Sequence, residues 1–379
     1  MKTGLTRNEE RVDHLFERIS RLIEQARSFV VTSVNKAEVR TRFEVGRYIF
    51  EDEQQGERAE YGKRVLKKLS DKLTNRFGKD WTVDTLTRCR KFYMTYSTQR
   101  QILATTLPKS QNIEDEDIED FGNTGATIHG PRFILSWSHY LVLMRIDNPE
   151  ARSFYEIECH QQQWSVRQLS RQVGSSLYER LALSRDKDAV MRLAREGQTV
   201  QKPADIIKNP VTLEFLGLKP DAEYTETKLE NAIIGKMQSF LLEMGKGFLF
   251  EARQKRFTFE ERNFYVDLVF YNRLLQCYVL IDLKTGDLSH QDLGQMQMYV
   301  NYYDRHVKQD FERPTIGILL CENKNDALVE LTLPKDSNIY ASQYQLYLPD
   351  KAMLQNKLRQ WIDEFNNNEF NKQTSENYE

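Results

Sequence analysis

Apolar positions follow two different patterns along the chain. Up to about residue 200 they recur every three or four residues, as on helices. Leu15, Ile19, Leu22 and Ile23 do so cleanly, and Val39, Phe43, Val45, Tyr48 and Ile49 less regularly. A further helix is predicted from about Tyr61 to Phe77, stopped near Gly78. The octet Trp81-Thr82-Val83-Asp84-Thr85-Leu86-Thr87-Arg88 opens another, with Thr82 as its cap and Asp84 suited to the positive first turn. It recurs as Trp164-Ser165-Val166-Arg167-Gln168-Leu169-Ser170-Arg171, where Ser165 and Gln168 have capping-box spacing. The two octets are consistent with a duplicated helix-turn-helix-like unit. Between about 103 and 132 Pro, Gly, Asn, Thr and an acidic run (Glu114 to Asp120) interrupt the pattern, which predicts a mobile loop. Asp186 to Gln198 reads as helical again.

Beyond residue 200 the periodicity becomes mixed. A helix is expected from Thr225 to Glu243, turning Leu229, Ile233, Met237, Phe240 and Leu241 inward. Strands are expected at Phe248–Phe259, Asn263–Tyr271, Tyr278–Lys284, Thr315–Cys321 and Ile339–Leu348. A helix from Asp292 to about Tyr303 separates the third from the fourth, and short helices are expected before and after the last. The expected organisation is an all-helical N-terminal domain over 1–200 and a linker over 201–220. An α+β or α/β domain follows over 221–365, with a disordered Asn/Glu/Lys-rich tail over 366–379.

A length of 379 residues suits two domains, and 40% hydrophobic with 29% charged residues is the profile of a folded chain. No run of about 18 apolar residues exists and the charged N-terminus lacks a signal-peptide core, so a cytoplasmic protein without membrane spans is expected. Cys89, Cys159, Cys277 and Cys321 are widely spaced and read as reduced thiols, and the six histidines show no metal-binding spacing. The net charge of −2 hides a local asymmetry, because Tyr61 to Arg100 holds eleven Lys/Arg against three Asp.

The candidate chemistry lies in two successive apolar strands. Phe264-Tyr265-Val266-Asp267-Leu268-Val269-Phe270-Tyr271 carries one carboxylate where both strand faces are expected to be buried. Burying it costs several kcal/mol unless it is paired or bound to a metal. Tyr278-Val279-Leu280-Ile281-Asp282-Leu283-Lys284 ends on Asp282 and Lys284, which alternation sends to one face. The short connection predicts an antiparallel hairpin that brings Asp267 near Asp282. Two close carboxylates repel, and a divalent cation relieves the repulsion. An ordinary Asp282–Lys284 ion pair, with Asp267 reaching solvent, explains any one of these residues; the ordered pair of strands weighs against it.

An Asp on one strand, Asp282-Leu283-Lys284 on the next, Glu230 on the preceding helix and Gln295-Met296-Gln297-Met298-Tyr299 on the following one resemble the PD-(D/E)XK nuclease pattern. The flanking segments Phe240–Phe248, Asp267–Tyr271, Gly294–Tyr299, Ser136–Tyr140 and Tyr178–Lys187 are similar to YhcG-type bacterial proteins, which join a helical domain of unknown function to such a nuclease domain. The resemblance implies a restriction-endonuclease-like αβββαβ core. Two departures are mild. The nominal Pro is Val266, and Asp282 stands where this family often has Glu, shifting an ion by roughly 1.5 Å.

The resemblance further implies a nuclease that hydrolyses phosphodiester bonds, with DNA as the expected substrate. Asp267, Asp282 and Glu230 would hold Mg²⁺, with Mn²⁺ able to substitute, and Lys284 would position water or stabilise developing charge. Gln295 and Tyr299, one turn apart, would orient Lys284 or touch phosphate. A catalytically silent nucleic-acid-binding or assembly protein on the same fold is the alternative. In the helical half, Lys63, Arg64, Lys67, Lys68, Lys72 and Arg76 recur as one cationic face, with Arg88, Arg90 and Lys91 on the next helix among Phe92, Tyr93 and Tyr96. Such a face suits nucleic-acid phosphates; docking of a protein partner, including a homodimer, is the competing use.

Overall fold

The computed structural model describes residues 7–55, 59–106, 133–183, 187–219, 224–334 and 337–360. The chain divides into two compact units, Met1–Arg152 and Ser153–Glu379.

The first unit is helical: α1 (Arg7–Gln55), α2 (Ala59–Phe77), α3 (Val83–Thr106), α4 (Trp137–Leu143) and the start of α5 (Pro149–Gln161). Helix α1 is continuous where two apolar patterns suggested separate helices. No Gly or Pro lies between Leu5 and Val45 to break it. Its C-terminal half is buried at Val39, Phe43 and Ile49, whereas Ile19, Leu22 and Ile23 on the N-terminal half are exposed. These apolar side chains are therefore not covered by any described element of this unit. Gly46 lets α1 approach α3 closely, since a Cβ would sit 2.0 Å from the Cys89 carbonyl oxygen. Around that contact Phe43, Phe92, Tyr96, Phe133, Trp137 and Tyr140 pack edge-on or tilted. Thr82 caps α3 through the Thr85 amide at 3.2 Å. Helix α3 runs on to Thr106, four residues into the stretch expected to be a loop; 107–132 lie outside the described residues.

The second unit continues with α6 (Val166–Gly174), α7 (Leu177–Ala182), α8 (Lys187–Glu196), β1 (Val211–Thr212), α9 (Glu226–Gly235) and α10 (Met237–Met244). Then come β2 (Phe248–Phe259), β3 (Arg262–Asn272), β4 (Cys277–Asp287), α11 (His290–His306), β5 (Ile316–Asn323), α12 (Asp326–Thr332), β6 (Ile339–Gln345) and a helix over 351–360. The Ser165–Gln168 capping box is present at the start of α6. The single helix expected from Thr225 is two, because the chain leaves helical geometry at Lys236, just after Gly235. The tail from 366 lies outside the described residues.

The sheet has the order β1-β6-β5-β4-β3-β2, antiparallel from β2 to β4 and parallel from β4 to β1. This is the αβββαβ succession expected, with the two-residue β1 added at the edge. Two apolar cores fill its faces. One packs Leu229, Ile233 and Phe240 against Phe270, Ile281 and Ile318. The other packs Leu293, Met296 and Tyr303 against Val269, Leu280 and Leu319.

Helices α6 to α8 join the sheet unit, well before the 201–220 stretch whose composition suggests a linker. A buried charge cluster accounts for this. Glu243 on α10 is fully buried, with Oε1 accepting from Arg180 Nη1 at 2.6 Å and from the Thr212 amide at 3.0 Å. Its Oε2 accepts from Arg171 Nη1 at 3.1 Å, while Lys208 bonds the Glu243 carbonyl. Burial alone would push the Glu243 carboxyl up, but Arg180, Lys208 and Arg171 hold it near 2. Among the described residues no helix is long and apolar enough to cross a membrane.

Candidate active site

The site lies where the sheet forks. The β3–β4 ladder pairs Asn272 with Cys277 and ends at Leu268 opposite Ile281. Continuing that register sets Asp267 against Asp282 one step past the end of the ladder. From there β3 follows β2, to which Lys255 and Val266 belong as a pair, and β4 follows β5, pairing Asp282 with Leu319 and Lys284 with Cys321. Asp267 fills part of the gap: its Oδ2 accepts the Leu283 backbone N–H at 2.9 Å, replacing a missing ladder bond.

Asp282 is 3% exposed. Burial first, and then the neighbouring Asp267 carboxylate, push its carboxyl up to about 7 against the pull of Lys284. Lys284 Nζ lies 2.9 Å from Asp282 Oδ2, 3.6 Å from Asp292 Oδ1 and 3.8 Å from Glu226 Oε1. Burial pulls its ammonium down, but Asp282 and then Glu226 and Asp292 more than offset this and hold it above its ordinary value. Lys284 is therefore a fixed cation aimed along the carboxylates.

Glu230, also 3% exposed, comes from α9. Its Oε1 lies 3.0 Å from Arg253 Nε, and its Oε2 accepts from Gln254 Nε2 at 2.7 Å. The same amide nitrogen donates to Asp267 Oδ1 at 2.9 Å, so Gln254 bridges the two acids. On α11, Gln295 donates its side-chain amide to the Tyr299 hydroxyl. Tyr299 is a buried core residue, and burial followed by the charge of Asp282 pushes its phenol up to about 12. Tyr299 thus packs in the core while its phenol lies near enough to Asp282 and Asp267 to feel their charge.

All six residues expected at this site thus fall in one neighbourhood, around the end of the β3–β4 ladder. Four others complete it: Gln254, Arg253, Asp292 and Glu226. The helix expected from Asp292 begins at His290, with a Ser289–Asp292 capping box, and nothing in the sequence marked Asp292 as a partner of Lys284. Gln254 and Arg253 sit in a run of exposed polar strand residues and carry no sequence signal.

An all-carboxylate donor set suits a hard divalent cation. Two buried oxygens, Glu230 Oε1 and Asp282 Oδ2, have a cation within ion-pair distance but no hydrogen bond, which leaves each able to take a ligand. Among the described residues no three acidic, histidine or cysteine groups converge closely enough to enclose an ion. The residues present fit a cation in chemistry, with Gln254 between Glu230 and Asp267.

In the helical unit, Arg64, Lys67, Lys68, Lys72 and Arg76 are exposed along α2, and none is in an ion pair among the described residues. The Lys63 side chain lies outside the described residues. On α3, Arg88 is paired with Asp84 at 2.6 Å and Arg90 with Glu53, while Lys91 is exposed.

Comparison with known proteins agrees with this arrangement. Residues 204–359 match the model of the YhcG PDDEXK nuclease domain, and residues 18–180 match the DUF1016 N-terminal domain. The chain is 36% identical over 349 residues to the protein named "Putative nuclease YhcG" of Escherichia coli (strain K12), covering 90% of this chain and 92% of that one. A repair endonuclease from Pyrococcus abyssi, 20% identical, covers 35% of this chain and 50% of its own at a TM-score of 0.24, too slight a likeness to bear on function. With Asp267, Asp282-Leu283-Lys284 and the domain order all in place, the chain belongs to the YhcG family, with a DUF1016 N-terminal domain joined to a PDDEXK nuclease domain.

Proposed function

We propose that this protein is a Mg²⁺-dependent nuclease acting on DNA, with Mn²⁺ able to replace Mg²⁺. The observation that carries the reading is the fork, which sets Asp267 against the buried Asp282 with Lys284 Nζ 2.9 Å away. Asp267, Asp282 and Glu230 would hold the ion, which when bound polarises a phosphate and acidifies a water.

The remaining chemistry belongs to the chain. Lys284, kept protonated by Asp282, Glu226 and Asp292, stabilises negative charge as it develops on the phosphate. The Leu283 N–H fixes the rotamer of Asp267, and the cap of α11 fixes Asp292 beside Lys284. Gln295 and Tyr299 form one hydrogen-bonded pair at the edge of the acids and orient the same region. Arg64, Lys67, Lys68, Lys72 and Arg76, with Lys63 and Lys91, would neutralise substrate phosphates. Arg88 and Arg90, engaged by Asp84 and Glu53, contribute less.

The test is incubation of the purified chain with Mg²⁺ or Mn²⁺ on linear, circular, branched and single-stranded DNA and on RNA. Cleavage is expected, abolished by Asp267→Ala and by Lys284→Ala. Cleavage that survives both substitutions sinks the site assignment. Binding without turnover on every substrate favours a silent assembly role.

A further inference from the structure

Six non-glycine residues among the described ones have positive φ, and Gln254, at +45°, is the one inside a strand. The neighbouring residues of β2 remain in register with β3, Arg253 with Leu268 and Lys255 with Val266, so Gln254 stands opposite Asp267. Left-handed backbone at a residue with a side chain is unfavourable and persists only where its surroundings enforce it. What the conformation achieves here is visible. The Gln254 amide nitrogen reaches between Glu230 Oε2 and Asp267 Oδ1, at 2.7 and 2.9 Å, and spends both of its protons on them.

We propose that Gln254 is a positioning residue of the cation site, acting as a reversible stand-in for the ion. This rests on the reading of Glu230, Asp267 and Asp282 as the ion's ligands. A donor between two carboxylates holds them at a set spacing and relieves their repulsion, as a cation does. When a divalent ion enters, those two protons face like charge and the amide turns over. It then presents Oε1, an oxygen acceptor of the kind such ions bind, to the ion or its water.

The test measures Mn²⁺ affinity, by the resonance signal of free Mn²⁺, and thermal melting with and without Mn²⁺, on the full chain. Gln254→Met keeps the shape but neither donates nor accepts. It is expected to melt lower without the ion and to bind Mn²⁺ about 10–100-fold more weakly, the usual loss when a ligand's supporting partner is removed. Gln254→Glu keeps the acceptor and replaces the donor with like charge. It is expected to melt lower than wild type without ion and to gain more from Mn²⁺ than wild type does. Gln254→Gly relaxes the backbone, so it should fold while still losing Mn²⁺ affinity. Wild-type affinity in the Met and Gly variants, together with an unchanged Mn²⁺ response in the Glu variant, overturns the proposal. Asp282→Asn separates the two failures. If it binds Mn²⁺ as wild type does, the ligand assignment falls and the stand-in role with it. If it loses binding while all Gln254 variants retain it, only the role of Gln254 falls.

Discussion

Asp292 ties Lys284 to the first turn of α11. Its Oδ1 lies 3.6 Å from the lysine Nζ, while its Oδ2 accepts from the Ser289 hydroxyl at 2.6 Å and from the Ser289 amide at 2.9 Å. One carboxylate therefore starts a helix and steadies a candidate catalytic cation. Asp292→Ala is expected to cost about 1 kcal/mol of stability through the lost cap and to lower cleavage further than that loss explains. Melting and single-turnover rates measured on the same preparation check this. An unchanged rate in a destabilised variant assigns Asp292 to the helix alone.

Glu243 gives the fold a definite acid dependence. Its folded value, about 2, lies below the ordinary 4.5 because Arg180, Lys208 and Arg171 outweigh burial. A depressed carboxylate stabilises fully above its unfolded value, and that contribution fades as pH falls from about 4.5 through about 2. Glu243→Gln leaves buried cations unmatched, so it should cost about 3–5 kcal/mol at neutral pH. It should also flatten the stability profile between those two pH values. Chemical denaturation across that range reads both effects.

Gly46 of α1 lies directly against the backbone of α3 at Cys89. With a Cβ only 2.0 Å from the Cys89 carbonyl oxygen, Gly46→Ala has to push two helix backbones apart. A loss of about 3 kcal/mol or more is expected, the upper end for overpacking. A scan of the isolated melting transition against Gly174→Ala, where nothing lies within 4 Å, supplies the control.

The exposed cations of α2 should matter to substrate and not to folding. Lys67→Glu combined with Lys68→Glu is expected to weaken DNA binding markedly at low salt, with a smaller difference as salt rises. Circular dichroism should be unchanged. Equal affinity for wild type and variant would point α2 toward a protein partner.

The central part of the molecule was legible because each anomaly was local. A carboxylate inside Phe264–Tyr271 and another at the end of Tyr278–Lys284 stand out against apolar strands, and alternation alone pairs Asp282 with Lys284. The features that escaped depend on partners far apart in sequence. Gln254 looks like any exposed strand residue until Glu230 and Asp267 are brought to it. Arg171 and Arg180 look like helix-surface charges until Glu243, at sequence separations of 72 and 63, is buried against them. That is also why α6 to α8 associate with the sheet, although composition and the matched segments 18–180 and 204–359 suggest a boundary closer to residue 200. The two-residue β1 is too short for any periodicity to reveal. The spacing of Ile19, Leu22 and Ile23 marks a helix and the residues do lie on one, yet they are exposed, since periodicity records a face without saying what covers it.

The fork also has a mechanical meaning. Asp267 rides on a two-stranded hairpin, β2–β3, while Asp282 rides on the parallel slab that continues into β5 and β6. Two-stranded ribbons are more strongly twisted than wide sheets, and this one is held against α11 where Phe257 stacks on Tyr302 at 4.0 Å. The two carboxylates therefore sit on separately held pieces of the sheet, one tied to α11 and the other to β5 and β6.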